Sequence, residues 1–215
     1  IKGKAVWSYL IMFLTNWNAL RHEDFDYSVF KCSDFVDKSS YDGYIAPYAE
    51  TPLDQELTGQ SVYEDLLNSA NEYVYIMTPY LIIDSEMVNT LIHTAKKGVD
   101  VRIIMPGIAD KQIVHDIGTT YYAQLIQGGV KIYEYTPAFV HSKVFISDDI
   151  YATVGTINFD YRSLYLHFEC NVLLYQTSTI QDIEKDFQET LSLSQKIDQK
   201  KRKFKKKNKK NKKKN

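Results

Sequence analysis

Through the middle of the chain, short apolar runs that suit β-strands alternate with longer segments of helical periodicity. The strand-like runs cover residues 73–77, 101–105 and 130–135, and the segments between them, 85–97 and 111–127, suit helices. Prolines and glycines fall at the ends of these segments, where they stop strands and helices. This alternation predicts an α/β fold with a mixed β-sheet and helices on both faces.

The later part of the chain continues the pattern with closely spaced strands. Residues 142–147 and 152–154 are predicted strands joined by a tight turn, 168–175 is a further strand, and 179–198 is a predicted helix. In α/β sheets, functional sites gather where loops leave the ends of neighbouring strands. The loops on either side of the predicted hairpin are therefore the first place to look for a site.

The amino-terminal part is less regular. Apolar residues recur at helical spacing over residues 6–18, which predicts a helix whose apolar face packs in the core; they are Val6, Leu10, Phe13, Leu14 and Trp17. Residues 20–48 are acidic and rich in tyrosine without a clear period, so a loop or irregular linker is predicted there.

Charge is distributed unevenly along the chain. Residues 200–215 contain twelve of the 26 Lys and Arg and no acid, so the other 199 residues carry 14 basic and 27 acidic side chains. Such an acidic body argues against a nucleic-acid partner gripped along the surface. The tail is predicted to be a disordered, solvated segment. Attraction to anionic lipid and attraction to nucleic acid remain alternatives for it.

One stretch combines the residue types that phosphate chemistry needs, in the order His141, Lys143, Asp148, Gly155, Thr156 and Asn158. Side chains two residues apart on a strand share a face, so His141 and Lys143 are predicted to point the same way. A histidine can attack phosphorus or transfer a proton. Ammonium, hydroxyl and amide groups can hold the non-bridging oxygens, which assigns Lys143, Thr156 and Asn158 to phosphate binding.

Two carboxylates are candidates to assist this set. Asp148, beside Asp149, either enters the site or shapes the turn between the two predicted strands. Glu169 lies 28 residues after His141 on an otherwise apolar strand, where a carboxylate is costly unless it is paired. Glu169 could hold the His141 ring and favour its protonated form.

The sequence predicts no metal and no cofactor. No two of the five histidines lie at ligand spacing with acidic or thiol partners. Cys32 and Cys170 lie in no metal or redox spacing, and two free thiols fit a reducing compartment such as the cytoplasm. The longest nearly apolar run, residues 6–14, is too short for a membrane-spanning helix, which needs ~20 residues. Any membrane anchor is therefore expected outside this chain.

The His-x-Lys-x4-Asp spacing resembles that of the phospholipase D (HKD) superfamily. The surrounding sequence is similar to bacterial cardiolipin synthase, whose Gly-Thr-x-Asn-x-Asp-x-Arg-Ser and Phe-Glu-x-Asn motifs match residues 155–163 and 168–171. The resemblance covers about residues 1–198. It implies that residues 1–48 are the end of a first phospholipase D-like half with a linker, that 49–198 are the second domain, and that 199–215 are a separate Lys/Asn-rich tail.

The resemblance also implies a reaction. The family condenses two phosphatidylglycerol molecules into cardiolipin and glycerol through a phosphohistidine, without a metal, at one site built from two motifs. The histidine of the first motif is usually the nucleophile, so His141 is expected to be the general acid/base, with Glu169 orienting it, although the two roles could be reversed. This chain carries a single motif. The second motif would come from a missing N-terminal half or from a homodimer partner, at the cytoplasmic face of the cell membrane.

Two other functions stay open at this point. A single-motif HKD nuclease or phosphodiesterase could act as a homodimer, although the acidic body speaks against a nuclease, which needs a basic groove. A non-catalytic fragment could instead bind anionic membranes through residues 200–215.

Overall fold

The computed structural model describes residues 1–21, 26–31 and 42–198. Within these ranges the α-helices are α1 (Ala5–Arg21), α2 (Thr58–Ser69), α3 (Ser85–Lys96), α4 (Gln112–Gln127), α5 (Tyr161–Tyr165) and α6 (Thr179–Ser192). The strands are β1 (Tyr44–Glu50), β2 (Tyr73–Met77), β3 (Leu81–Ile82), β4 (Asp100–Pro106), β5 (Lys131–Tyr135), β6 (Val144–Ser147), β7 (Tyr151–Gly155), β8 (Phe159–Asp160), β9 (Glu169–Tyr175) and β10 (Ser194–Lys196).

Eight of these strands form one sheet in the order β1-β9-β7-β6-β2-β4-β5-β10. The β2–β4 and β4–β5 pairs are parallel, because a helix crosses over between their strands, and the remaining pairs are antiparallel. β3 and β8 form a separate two-stranded parallel ladder. The sheet is therefore mixed, as the sequence predicts.

Helices cover both faces of this sheet, and each face has its own core. On one face, α2, α3 and α4 pack large buried side chains against the central strands, among them Tyr63, Leu67, Leu91, Tyr122 and Leu125. On the other face, α6 packs Ile180 and Phe187 against the sheet, and Phe187 stacks on Tyr75 of β2. The predicted α/β class, with a mixed sheet between helices, is confirmed.

The predicted packing of the first helix is wrong. α1 forms, but of its predicted core face only Leu14 is buried; Val6, Phe13 and Trp17 are exposed. The helix touches the sheet mainly near β1, where Tyr9 packs against the α6 side of the core. Periodicity identifies an apolar helix face, but it does not tell what covers that face.

The predicted irregular segment over residues 20–48 also needs correction. Residues 44–48, predicted as linker, belong to β1, which pairs with β9 over its whole length, from Tyr44 opposite Tyr175 to Glu50 opposite Glu169. The sheet therefore begins before residue 49. β1 is an outer strand and contains Pro47, which is compatible with an edge position. The rest of the predicted linker is described only at 20–21, which end α1, at 26–31, which hold a 3-10 helix, and at 42–43. The predicted tail at 199–215 lies outside the described residues.

Two further element boundaries differ from prediction. β6 begins at Val144, so residues 141–143 form an irregular lead-in to the strand. The predicted helix over 179–198 ends at Ser192, and β10 follows it to pair with β5. Among the described helices, none combines the length and apolarity needed to cross a bilayer.

Candidate active site

A cavity of about 520 Å³ opens at one end of the sheet, where β6 and β9 begin and β7 ends. Because β6 and β7 are antiparallel, with Val144 opposite Val154, the segments before β6 and after β7 leave at the same end. The residues that line the cavity are His141, Ser142, Lys143, Val144, Val154, Gly155, Thr156, Asn158 and Glu169. Five residues predicted for the site are thus brought together.

His141 and Lys143 lie in the lead-in to β6. The Lys143 Nζ donates a hydrogen bond to the His141 carbonyl oxygen at 2.8 Å, which fixes the lysine beside the histidine. His141 is exposed and its ring lies 5.7 Å from that of Phe139, whereas Lys143 is partly buried. The imidazole is thus accessible to a ligand, and the ammonium group is held at the pocket wall.

The surroundings shift the pKa of both groups downward. Burial and the neighbouring Lys143 cation lower the pKa of His141, and the Asp110 carboxylate acts in the opposite direction. Burial likewise lowers the pKa of Lys143, against the carboxylates of Glu169 and Asp160. A lowered pKa favours the neutral imidazole, which is the form that can attack phosphorus or accept a proton.

Thr156 is held at the pocket edge by the start of β9. Its hydroxyl accepts a hydrogen bond from the Cys170 N–H at 2.9 Å, and its own N–H donates to the Cys170 carbonyl at 2.9 Å. The preceding Gly155 has no room for a side chain, since a Cβ there would lie 2.1 Å from the Asn171 Oδ1. The segment after β7 therefore runs tightly against β9.

Asn171 of β9 holds the segment after β7 in place by hydrogen bonds. Its side chain is fully buried, its Oδ1 accepts from the Ile157 N–H at 3.0 Å, and its Nδ2 donates to the hydroxyls of Tyr48 and Tyr63 at 3.2 Å. Tyr63 in turn donates to the Ile157 carbonyl at 2.9 Å. Because both polar groups of Ile157 are satisfied, the position of Thr156 and Asn158 on either side is fixed.

Asn158 and Glu169 are joined through Ser163, which was not among the predicted site residues. The Asn158 Nδ2 donates to the Ser163 Oγ at 2.8 Å, and the Ser163 hydroxyl donates to the Glu169 Oε1 at 2.8 Å. Ser163 is placed by Asp160, whose side chain accepts the Ser163 N–H at the start of α5. Ser163 and Asp160 both fall within the Gly-Thr-x-Asn-x-Asp-x-Arg-Ser motif, which was the signal that could have found them.

Glu169 lies in the cavity with His141, but it does not hold the ring. Its side chain is only 11% exposed, accepts a hydrogen bond from the Ser163 hydroxyl and lies 3.8 Å from the His167 Nδ1. Within the described residues, no hydrogen bond joins Glu169 to His141. Glu169 is thus connected to the Asn158 side of the pocket.

Asp148 is not in the cavity, which corrects its predicted place in the catalytic set. It lies at the opposite end of β6, where its carboxylate accepts the backbone N–H groups of Asn71, Glu72 and Tyr73 at 2.7–3.0 Å. Asp148 and Asp149 both have φ of 55°, in the left-handed region that aspartate tolerates in turns. Of the two predicted roles, Asp148 has the one that shapes the turn.

The described residues contain no group of three or more His, Cys, Asp or Glu arranged to hold a metal ion. The cavity instead offers nitrogen donors at its wall, from Lys143 and Asn158, beside one accessible imidazole. Such donors suit the equatorial oxygens of a phosphoryl group. The Thr156 hydroxyl also lines the cavity, and its hydrogen is donated to the Cys170 carbonyl oxygen at 3.3 Å.

The family of the chain is evident from comparison with known proteins. A family profile described as "Cardiolipin synthase, PLD-like domain" matches residues 63–191, more than half of the chain. An uncharacterized protein of Streptococcus mutans is 50% identical over 197 residues, and Cardiolipin synthase 2 of Bacillus anthracis is 35% identical over 197 residues. Each alignment covers 92% of this chain but only 42% and 38% of those relatives, respectively.

Solved structures share the fold at low sequence identity. A phospholipase D family member, Nuc from Salmonella typhimurium, superposes with a TM-score of 0.61 at 15% identity, covering 72% of this chain and 97% of that one. Phosphatidylserine synthase from Haemophilus influenzae superposes with a TM-score of 0.55 at 17% identity, covering 71% of this chain and 40% of that one. The fold is that of phospholipase D-like domains, and the chain belongs to the cardiolipin synthase family of such domains.

Proposed function

We propose that this chain supplies one half of the active site of a phosphatidyltransferase that condenses two phosphatidylglycerol molecules into cardiolipin and glycerol. The observation that carries the proposal is the cavity in which an accessible imidazole, His141, adjoins Lys143, Thr156 and Asn158. The chain's family supports the choice of a phosphatidyl group over other phosphodiesters. The reaction would take place at the cytoplasmic face of the cell membrane.

In the proposed reaction, a histidine from the other half of the site attacks the phosphorus of the first phosphatidylglycerol. The bond from phosphorus to the glycerol oxygen breaks as the phosphohistidine forms, and His141 donates the proton that the leaving glycerol takes up. His141 then accepts the proton of a hydroxyl on the second phosphatidylglycerol, whose oxygen attacks phosphorus and releases the first histidine. Lys143, Thr156 and Asn158 hold the non-bridging oxygens through both steps.

The electrostatics of His141 suit this cycle. Burial and Lys143 lower the pKa of His141 and favour the neutral ring. A bound phosphodiester adds a negative charge beside the ring, which raises the pKa of the imidazole again. The proton that the leaving group needs is therefore taken up when the substrate is in place.

The rest of the site would come from outside the chain. The matched relatives are more than twice as long as the aligned segment. We therefore propose that the half with the first motif belongs to the same polypeptide and not to a second copy of this chain. The test is product formation by the full-length protein from phosphatidylglycerol vesicles, followed by mass spectrometry of cardiolipin. We expect His141→Ala to abolish the product. Undiminished cardiolipin from that variant rejects the proposal.

A second candidate is a phosphodiesterase in which two copies of this chain complete the site. It is favoured by one observation, that the domain covers 97% of the Salmonella Nuc chain, so one such domain can be nearly a whole polypeptide. The chain alone, incubated with bis(p-nitrophenyl) phosphate, would then release p-nitrophenol in a reaction that depends on dimer formation and on His141. Hydrolysis by the chain alone with no cardiolipin from the full-length protein favours this candidate. Vesicle binding without either product favours a non-catalytic membrane fragment.

A further inference from the structure

Ser163 lies behind the cavity, not in its lining. It is 1% exposed, in the short helix α5, and its backbone N–H donates to the Asp160 Oδ1 at 2.8 Å. Its hydroxyl is nevertheless bonded to two residues that do line the cavity, Asn158 and Glu169, each at 2.8 Å. Ser163 is thus the link between an amide and a carboxylate of the site.

The direction of these hydrogen bonds is fixed by chemistry. An ionised carboxylate only accepts, so the single hydroxyl hydrogen of Ser163 is committed to Glu169. The Ser163 oxygen can then only accept, which requires Asn158 to turn its Nδ2 toward the serine. Consistent with this order, the Asn158 Oδ1 points away and is buried without a partner among the described residues, an arrangement that is costly on its own.

The order determines what Asn158 can offer a ligand. An amide nitrogen has two hydrogens, and Ser163 takes one of them. The other stays on the same nitrogen, in a side chain that lines the cavity. If the amide were turned over, its oxygen would take the place of its nitrogen, and the donor that a phosphate oxygen needs would be displaced.

We propose that Ser163 is a positioning residue, which uses the carboxylate of Glu169 to hold the Asn158 amide in the orientation that binds phosphate. The inference rests on the proposed function for the identity of the ligand as a phosphoryl group. Ser163 acts through Asn158, and it need not touch the ligand itself.

The test is a double-mutant cycle on ligand binding. Isothermal titration of the full chain with inorganic phosphate is carried out for wild type, Ser163→Ala, Asn158→Ala and the double variant. We expect Ser163→Ala to weaken phosphate binding by about threefold to tenfold, the size of one hydrogen bond. Because Ser163 acts through Asn158, the double variant should bind phosphate no more weakly than Asn158→Ala alone.

Ser147 provides a matched control. It is also 1% exposed, and its hydroxyl bonds to the Leu66 carbonyl at 3.4 Å, outside the site. Ser147→Ala should leave phosphate binding unchanged. Ser163→Thr, which keeps the hydroxyl, should bind phosphate more tightly than Ser163→Ala and close to wild type. If Ser163→Ala does not fold, Ser163→Cys replaces it in the cycle, since a thiol is a weak donor.

Two results overturn the inference: phosphate binding by Ser163→Ala equal to that of wild type, or losses at Ser163 and Asn158 that multiply in the double variant. Absence of phosphate binding to wild type overturns it as well. Failure of the proposed function looks different. In that case the cycle shows coupling, but the full-length protein makes no cardiolipin that depends on His141.

Discussion

At one end of the β6–β7 hairpin, His141 and Lys143 line an open cavity. At the other end, both carboxylate oxygens of Asp148 accept hydrogen bonds from backbone N–H groups. The two ends belong to one sequence motif. Lys143 and Asp148 are five residues apart, and at the rise per residue of an extended strand they are separated by roughly 16 Å. A shared motif therefore does not imply a shared site. The spacing between Lys143 and Asp148 reflects the length of β6, which separates the cavity at its start from the turn at its end.

The two ends should respond differently to mutation. A polar side chain that faces a cavity can be removed with little change in the free energy of unfolding, because water takes its place beside the groups that it contacted. A carboxylate that satisfies three N–H groups cannot be removed without leaving those groups unpaired. Activity and stability measurements can therefore tell the ends apart.

Among the variants that compare the two ends, the largest effect is expected for Lys143→Ala. Under the proposed function, loss of one charged donor to the transferring phosphoryl group should lower kcat/KM for cardiolipin formation by the full-length protein by about 100-fold to 1,000-fold. The free energy of unfolding should change by less than about 1 kcal/mol. Chemical denaturation and product assays are run side by side, with Lys97→Ala as the control, since Lys97 bonds to the Asn68 and Ala70 carbonyls outside the cavity. Equal losses from both variants would contradict the assignment of Lys143.

Gly155→Ala tests the site end for packing. The added Cβ would lie 2.1 Å from the Asn171 Oδ1 and 2.4 Å from the Cys170 carbonyl oxygen, so β9 or the segment after β7 has to shift. We expect a loss of about 3 kcal/mol in unfolding free energy together with reduced activity. Gly98→Ala serves as a comparison, because its Cβ meets nothing within 4 Å and only its φ of 101° is strained. Wild-type stability in Gly155→Ala would show that the close approach to β9 is not needed.

Asp148→Ala tests the turn end. Three N–H groups lose their acceptor and alanine takes a left-handed φ, so the unfolding free energy should fall by about 2 kcal/mol. Asp148→Asn keeps one acceptor oxygen and tolerates that φ, so about 1 kcal/mol is expected for it. Cardiolipin formation by the folded variants should stay within about twofold of wild type. A loss of activity as large as that of Lys143→Ala would return Asp148 to the site.

The smallest effect concerns the pKa of His141. Burial lowers that pKa most, the Lys143 cation lowers it further, and the Asp110 carboxylate raises it. Lys143→Ala should therefore raise the pKa of His141, and Asp110→Asn should lower it further. Titration of the His141 ring by NMR measures both shifts, and shifts of the same sign in the two variants would contradict the electrostatic account.

The sequence predicts the central fold well because its signals are local. The apolar runs of β2 and β4 and the period of α3 are read directly from neighbouring residues. β1 escapes prediction because its pairing partner β9 lies more than 100 residues away, and the two-residue strands β3 and β8 are too short to have a pattern. A strand whose formation depends on a partner far away in the sequence has no local sequence pattern that identifies it.

The site shows the same division. His141, Lys143, Thr156, Asn158 and Glu169 can be selected by residue type and spacing, and the structure brings them to one cavity. The motif contains Ser163 at a fixed position, but it does not tell which groups the serine joins, because that depends on α5 turning the serine back between Asn158 and Glu169. The role of Asp148 needed the pairing of its turn with residues 71–73, which the sequence does not reveal.

The margins of the large sheet have a consequence for the behaviour of the protein at high concentration. Within the described residues, one margin is β1, with Pro47 in its middle, and the other is β10, which has only three residues. A proline that lacks an N–H and a strand this short are poor templates for recruiting a further strand. Growth of the sheet into fibrils through its margins is thereby discouraged.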